Sequence, residues 1–306
     1  MIQKRKMKKP NNCAILIAAK SGSAFLPEQL ASLDAQVNAK IDIFYSCDGP
    51  DISSEEILDS VNAHNQNPQQ LAFNSSAANF FHLIKNADLS ATHDYVFLCD
   101  QDDIWLPNKI NRAVHCLKKY NASCYSSSYY TWSPDNNKIK YRYKSVKQTP
   151  LDFYFRSPGP GFTYCFTKDA FQKVRSELSR NDLSNIRWHD WTIYAIARSI
   201  SLAWYIDKAP NSLYRLHENN DTGQLSKITD ILPRLSFLLG GKYEAQVRKI
   251  AAIANNGNES ARLIRFNLSD RIWLMSKVSL LRFTILERIA LIIFLIFTKR
   301  NHHDSS

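Results

Sequence analysis

Paired cysteines are missing from this 306-residue chain: Cys13, Cys47, Cys99, Cys116, Cys124 and Cys165 stand singly, with no C-x-x-C and no regular spacing. That argues against a disulfide framework or a cysteine-built zinc site and points to a reducing compartment. Glycine is scarce as well, 8 residues in all, and no Walker or glycine-rich loop is present to cradle phosphates. No apolar run reaches the roughly 20 residues a bilayer-spanning helix needs. The solidly apolar stretch Ile289 to Phe297 falls well short, because Glu287 and Arg288 stop it extending backward. No separate apolar segment stands between the charged N-terminus and the first strand, so a secretory signal is not apparent. Helix-turn-helix, zinc-finger and RNP-like motifs are also absent, so the formal charge of +11 is not read as a nucleic-acid footprint.

The positive excess, 39 Lys and Arg against 28 Asp and Glu, gathers at the ends, which suits an anionic surface. Residues 1–12 read as a basic disordered arm closed by Pro10-Asn11-Asn12. A folded domain is expected over 13–224. It opens with the apolar run Cys13 to Ala19, a break at Gly22 and a helical pattern through Leu26, Leu30, Leu33 and Val37. A second strand from Ile41 to Tyr45 ends at Asp48-Gly49-Pro50, and Ser53-Ser54-Glu55-Glu56 opens a second helix. A third helix, Ala77 to about Asn86, leads into the strand Tyr95 to Cys99. This alternation predicts an α/β fold with helices on both faces of a parallel sheet. The sheet is expected to become mixed at a hairpin between Cys124 and Tyr143. Residues 225–306 read as a separate helical C-terminal region, with Leu232, Leu235, Phe237 and Leu238, a Gly240-Gly241 break and a stretch from Ile272 to Phe297. With Arg282, Lys299 and Arg300 around it, Ile289 to Phe297 suits a membrane-interface helix, or equally a core helix docking on the domain or on a partner.

Chemistry concentrates where the fourth apolar run ends, at Asp100-Gln101-Asp102-Asp103. Carboxylates this close raise one another's pKa unless a cation neutralises them, and hard cations take oxygen ligands. Such sheets bind ligands beyond the carboxyl ends of their strands, and Asp48 ends a strand of the same sheet. The bland alternatives are a turn residue at Asp48 and an Asp103 that caps the helix marked by Ile110, Val114 and Leu117.

Seven segments in order then resemble family 2 glycosyltransferases, in particular the rhamnosyltransferase-like branch that builds bacterial surface polysaccharides such as lipopolysaccharide O-antigen. They are Ile17-Ala18-Ala19-Lys20-Ser21-Gly22, Ser46-Cys47-Asp48-Gly49, Asn79-Phe80, Asp100 to Trp105, Gly161-Phe162-Thr163, His189-Asp190-Trp191, and Leu213 to Asn220. The resemblance implies a GT-A fold, a Rossmann-like mixed sheet. It also implies a nucleotide-diphospho-sugar donor, Mg²⁺ or Mn²⁺, and inversion at the anomeric carbon. By the same resemblance Asp102 corresponds to the metal ligand of the D-x-D motif, with Asp100 and His217 completing the shell. Ala18, Lys20, Asp48, Asp100, Gln101, Asp102 and Arg215 would meet the nucleotide sugar. Gly161, Thr163 and Trp191 would line the acceptor side. Asp190 matches the base that an inverting enzyme needs opposite the leaving group, and its Trp188 and Trp191 neighbours would desolvate it and raise its pKa. The sequence departs from the family where Lys20-Ser21 replaces a common Tyr-Asn, and where Cys47 replaces the first of a common Asp pair. The implied acceptor is a glycan or a lipid-linked glycan at the inner face of the cytoplasmic membrane. Rival readings are a nucleotidyl- or phosphotransferase, which would want two metals and a phosphate loop, and a non-catalytic membrane-associated binding subunit.

Overall fold

The computed structural model describes residues 9–217, 240–255 and 257–298. Two sheets organise the chain up to residue 217. The larger has seven strands in the order β10 (Trp204–Asp207), β6 (Cys124–Ser127), β9 (Cys165–Thr167), β4 (Tyr95–Asp100), β1 (Asn11–Ala19), β2 (Ala39–Cys47) and β3 (His64–Asn65). Its central strand β1 (Asn11–Ala19) pairs in parallel with β2 (Ala39–Cys47) and β4 (Tyr95–Asp100). The apolar run Cys13–Ile17 is wholly buried because helices cover both faces, as a continuous rather than alternating pattern requires. β1 begins at Asn11, inside the segment read as a disordered arm. Asn11 and Asn12 pair with Ala39 and Lys40, and the Asn11 amide donates to Asn111 Oδ1 at 3.0 Å, so these polar residues are fixed by the neighbouring strand.

Helices α1 (Leu26–Asp34), α2 (Ile52–Ser60) and α3 (Ser76–Asn86) follow the first strands. Asp51 caps α2 and Ser75 caps α3 through their side-chain oxygens, each a contribution of about 1 kcal/mol. The parallel order breaks at β9 (Cys165–Thr167), which runs antiparallel between β4 and β6 (Cys124–Ser127). The hairpin expected between Cys124 and Tyr143 is present and turns at Pro134–Asn136. It joins β7 (Tyr129–Ser133) to β8 (Lys138–Arg142), and these belong to a second sheet ordered β5-β11-β7-β8.

That small sheet brings β5 (Ile104–Trp105) alongside β11 (Ser212–Arg215), antiparallel, with Leu213 opposite Ile104. A segment more than a hundred residues later is thereby laid against the acidic cluster. Asp103 does not cap the next helix: α4 (Lys109–Lys119) follows Asn108, and Asp103 is enclosed instead.

The helices after Gly240 do not stand apart. Lys242–Ala254, Gly257–Arg265, Leu268–Ser276, Val278–Leu281 and Ile285–Phe297 bury Val247, Ile250, Leu263, Leu274, Leu281 and Phe294 in the same core as α3, α5 (Lys168–Arg180) and α6 (His189–Ser199). The stretch expected to run from Ile272 to Phe297 is broken at Lys277 and again at Arg282–Thr284. There Thr284 and Glu287 form a reciprocal capping box for the last helix. Among the described residues no helix is long and apolar enough to cross a membrane. Leu232, Leu235, Phe237 and Leu238, with Lys299 and Arg300, lie outside the described residues.

Candidate active site

The register of the large sheet decides the rim. β1 ends with Ala18 paired to Asp100 and Ala19 paired to Cys47, so Asp48 and the Asp100–Asp103 turn emerge at the same edge. Asn79 of α3 ties that edge together. Its amide donates to the carbonyls of Ala19 and Ser46 at 3.1 and 3.0 Å and accepts from the Ser46 hydroxyl at 2.6 Å.

The rim opens into a cavity of about 470 Å³ lined by Ala18, Lys20, Asp48, Asp100, Gln101, Asp102 and His217, together with Phe25, Asn74, Ser75, Asn79 and Tyr214. Asp48 is all but buried. Its Oδ1 accepts the backbone N–H groups of Phe73 and Asn74, and its Oδ2 accepts the exposed Lys20 ammonium at 3.0 Å. Gln101 clasps the Lys20 backbone, accepting from its N–H and donating to its carbonyl at 2.7 Å. An added Cβ at Gly22 would fall 2.6 Å from Gln101 Oε1, so a side chain there would push the Gln101 amide out of this clasp. Lys20 and Gln101 therefore shape the loop as well as facing the cavity.

His217 reaches the cluster because β11 runs past it. Its Nε2 lies 2.8 Å from Asp102 Oδ2, and its ring stacks on Phe25 at 4.7 Å. Arg215, expected at the donor, points away from the cavity lining. Its guanidinium pairs with Glu28 of α1, donates to the Asp102 carbonyl at 3.2 Å and lies over Trp132 at 4.8 Å. It braces the Asp100–Asp103 turn from behind. Asp103 is fully enclosed; the backbone at Arg215 comes near its carboxyl, but among the described residues no donor meets either oxygen at hydrogen-bond geometry. Burial, reinforced by Asp102 and Asp100, pushes its pKa well up. Lys109, also buried, donates to the Phe162 carbonyl at 2.7 Å and to Ser212 Oγ at 2.8 Å, and burial lowers its pKa to about 7.

Residues 14–176 match the sequence profile of glycosyl transferase family 2. The chain belongs to that family. A dTDP-rhamnosyl transferase, RfbG of Shigella flexneri, is 35% identical over 242 residues, covering 77% of this chain and 83% of its own length. The GT-A architecture is shared with TarS of S. aureus. Its residues 1–349, solved with UDP-GlcNAc, superpose with a TM-score of 0.55 at 11% identity, over 93% of this chain and 79% of that one. The longer TarS chain gives a TM-score of 0.53 at 11% identity, and the match spans 83% of this chain but only 42% of that one. The protein is thus a glycosyltransferase with a mixed α/β sheet and C-terminal helices.

In this family 2 glycosyltransferase Asp190 sits in the first turn of α6, away from the lining of the donor-sized cavity. Its Oδ1 accepts the Trp191 N–H at 2.7 Å and its Oδ2 accepts the Ser157 hydroxyl at 3.1 Å. Burial raises its pKa to about 6 against those hydrogen bonds and the nearby Lys144. An aromatic partition connects it with the acidic rim. Phe162 stacks on the cavity-lining Tyr214 at 5.5 Å and meets Tyr129 edge-on at 5.3 Å, and both Asp103 and Asp190 act electrostatically on Tyr129.

Gly161, Thr163 and Trp191, expected on the acceptor side, are buried in the wall instead. The space left by the missing side chain of Gly161 is taken by His189, whose Nε2 would lie 2.1 Å from an added Cβ. His189 stacks on Phe80 at 4.0 Å, and burial holds its imidazole neutral, with its pKa pushed down to about 3. Thr163 donates to the Pro160 carbonyl at 2.7 Å, and the Trp191 indole donates to the Phe153 carbonyl at 2.7 Å. Sequence reasoning passed over Phe25, Asn74, Ser75 and Ser157. Phe25 and Ser75 adjoin helix starts, a local signal, whereas nothing in the chain points from Ser157 to Asp190.

Among the described residues no three His, Cys, Asp or Glu side chains form a preassembled metal cluster. The donor set still suits a hard ion. Asp102 and His217 face each other at 2.8 Å, with Asp100 in the same cavity. An incomplete protein shell is usual where substrate phosphates and water supply the remaining ligands.

Proposed function

We propose that this chain transfers a deoxyhexosyl group, rhamnose, from a dTDP-sugar to a hydroxyl of a bacterial surface-glycan acceptor, in one displacement that inverts the anomeric carbon. The observation that carries the reading is the convergence of Asp48, Asp100, Asp102 and His217 on one cavity of about 470 Å³. The 35% identity to a dTDP-rhamnosyl transferase supports the choice of donor. Asp48 Oδ2, which among the described residues is met by the exposed Lys20, is the acceptor for the thymine ring N–H once that lysine turns to the phosphates. Mg²⁺ or Mn²⁺ held by Asp102, Asp100 and His217 would offset the charge growing on the departing diphosphate. Asp190 takes the proton of the attacking hydroxyl. A nucleotidyltransferase has no support of this kind, since no phosphate-cradling loop is present.

Titration calorimetry with dTDP, UDP and GDP in the presence of Mn²⁺ tests the donor. The tightest binding is expected for dTDP, and transfer from dTDP-rhamnose should give a product of opposite anomeric configuration. Equal affinity for all three nucleotides, or retention, overturns the assignment.

The last helix, Ile285–Phe297, supports attachment to the inner face of the cytoplasmic membrane. Ile285 and Leu286 are 72% and 80% exposed, and Ile289, Ile293, Ile296 and Phe297 also face outward. Arg288 and the exposed Lys277 flank this apolar face, which suits a bilayer of anionic lipids. The protein is expected to pellet with phosphatidylglycerol-containing vesicles, and the double substitution Leu286→Asp with Ile289→Asp to leave it in the supernatant. Equal pelleting of both proteins would remove the membrane role.

A further inference from the structure

Among the described residues two hydrogen bonds meet the Asp190 carboxylate, from the Ser157 hydroxyl at 3.1 Å and from the Trp191 N–H at 2.7 Å. Ser157 lies in a stretch, 156–160, that belongs to no helix or strand, so no backbone ladder sets its place. Side chains from the far end of the chain do so instead. Two residues upstream, the Phe155 carbonyl accepts the Tyr243 hydroxyl, and it accepts the Arg282 guanidinium at 2.6 Å. Arg156 is gripped by Asp152 at 2.9 Å and by Glu287 of the last helix at 3.3 Å. The Leu280 carbonyl accepts the Leu151 N–H at 3.0 Å and so holds the turn just before this stretch.

Tyr243, in the helix Lys242–Ala254, supports the other donor as well. Its ring stacks on Trp191 at 5.4 Å, with the planes 23° apart. One side chain thereby touches both arms that end on Asp190. Tyr243, Arg282 and Ser157 also share the lining of a second cavity, of about 440 Å³, between the sheet domain and the C-terminal helices.

The placement of Ser157 matters because its hydroxyl has one proton and two acceptors. The Gly159 carbonyl lies 3.0 Å away, as near as Asp190 Oδ2. A small movement of the stretch turns the proton to that carbonyl and leaves the carboxylate with a single N–H. A lost hydrogen bond to the ionised form raises a carboxyl's pKa, and the Ser157 bond is one of the groups that oppose the effect of burial on Asp190. Lys144 after β8, Tyr129 of β7, Tyr164 ahead of β9 and the neutral His189 of α6 are the other charged or titratable groups that act on this carboxyl or adjoin it. The substitutions below leave all four in place.

We infer that Tyr243 is a positioning residue for the general base: by holding the Phe155 carbonyl and the Trp191 ring, it keeps the Ser157 hydroxyl and the Trp191 N–H on Asp190. The inference rests on the reading of Asp190 as base, and it deepens that reading by naming what fixes the base's geometry. The C-terminal helices are then part of the catalytic site, although among the described residues none of their side chains lines the donor-sized cavity.

The test follows the Asp190 carboxyl directly. Full-length protein labelled with carbon-13 at its aspartate carboxyls is titrated by NMR between pH 4.5 and 8, and the Asp190 signal is assigned by its disappearance in Asp190→Asn. The wild-type midpoint is expected near 6. Ser157→Ala should raise it by about one pH unit, the tenfold preference for the ionised form that one charge-assisted hydrogen bond supplies. Ser157→Thr, which keeps the hydroxyl, should restore it. Tyr243→Leu removes both supports and should raise the midpoint at least as far as Ser157→Ala. Tyr243→Phe keeps the ring on Trp191 and leaves Arg282 on the carbonyl, so its rise should be smaller. Combined with Ser157→Ala, Tyr243→Phe should add nothing, because its hydroxyl acts through Ser157. Circular dichroism reports folding, and if Tyr243→Leu is unfolded then Tyr243→Phe decides by the same criterion. An unmoved midpoint in the folded Tyr243 variant, or shifts of Tyr243→Phe and Ser157→Ala that simply add, overturns the positioning role and leaves the base reading standing. Wild-type turnover in Asp190→Asn overturns the base reading and this inference with it.

Discussion

Asp190→Asn is expected to lower kcat on the order of a thousandfold, within the usual range for removing a general base, while the dissociation constant for the donor stays the same. The carboxylate touches Ser157 and Trp191 and lies off the lining of the donor-sized cavity, so its loss leaves the nucleotide's contacts in place. The same group predicts the pH profile. A base works only when deprotonated, and burial has raised this carboxyl to about 6 from an ordinary carboxylate value. Activity should therefore be full above about pH 7 and fall tenfold per pH unit below about 6, where the proton is already in place. The Lys144 charge works against that rise, so Lys144→Met should move the acid limb toward higher pH. Steady-state rates across pH 5 to 8, in buffers of constant ionic strength, read both effects. Wild-type turnover in Asp190→Asn, or an acid limb that survives the substitution, ends its role as base.

Asp102→Ala should raise the Mn²⁺ concentration needed for half-maximal rate on the order of a hundredfold or more, and depress kcat/KM comparably at fixed metal. Asp102 is the point where two distant pieces of the chain, the β4 turn and the end of β11, meet. It follows β4, its carboxylate faces His217 at 2.8 Å, and its carbonyl receives Arg215. Removing the carboxylate also takes away the contact between Asp102 and His217, so the two residues should behave as a unit. The loss in the double variant with His217→Ala is expected to be far smaller than the sum of the two single losses. Metal titration of the rate, alongside calorimetry of dTDP with and without Mn²⁺, separates lost ion binding from lost folding. An unchanged metal requirement would falsify the assignment of Asp102 as a ligand.

Much of the rim was legible because it is encoded locally. A buried parallel strand must be apolar throughout, so Cys13–Ala19 and Tyr95–Cys99 could be recognised as strands, and the polar residues that end them had to lie at the sheet's edge. Asp48, Asp100 and Asp102 were accessible to that argument. The caps of α2 and α3 were likewise local, since an Asp or Ser before a helical pattern satisfies backbone N–H groups within three residues. Arg215 shows the limit of such reasoning. A late basic residue near a diphosphate-binding motif reads as a phosphate contact, yet the small sheet turns this one onto Glu28 and the Asp102 carbonyl. Gly161 shows the same limit in another form: its missing side chain gives room to His189, a residue brought in by packing of α6 against α3.

The amino-acid sequence alone determined the strand and helix pattern of the first hundred residues, the sheet edge that carries the carboxylates, and the family resemblance built from motif order. Each of these depends on contacts within a few residues, or on the period of the chain itself. Only the tertiary structure decided that Arg215 turns onto Glu28, that Ser157 meets Asp190, and that the C-terminal helices share the core and wall a second cavity near Asp190. Those pairings join residues far apart along the chain, and strand register together with side-chain packing, which no local pattern specifies, sets which of them meet.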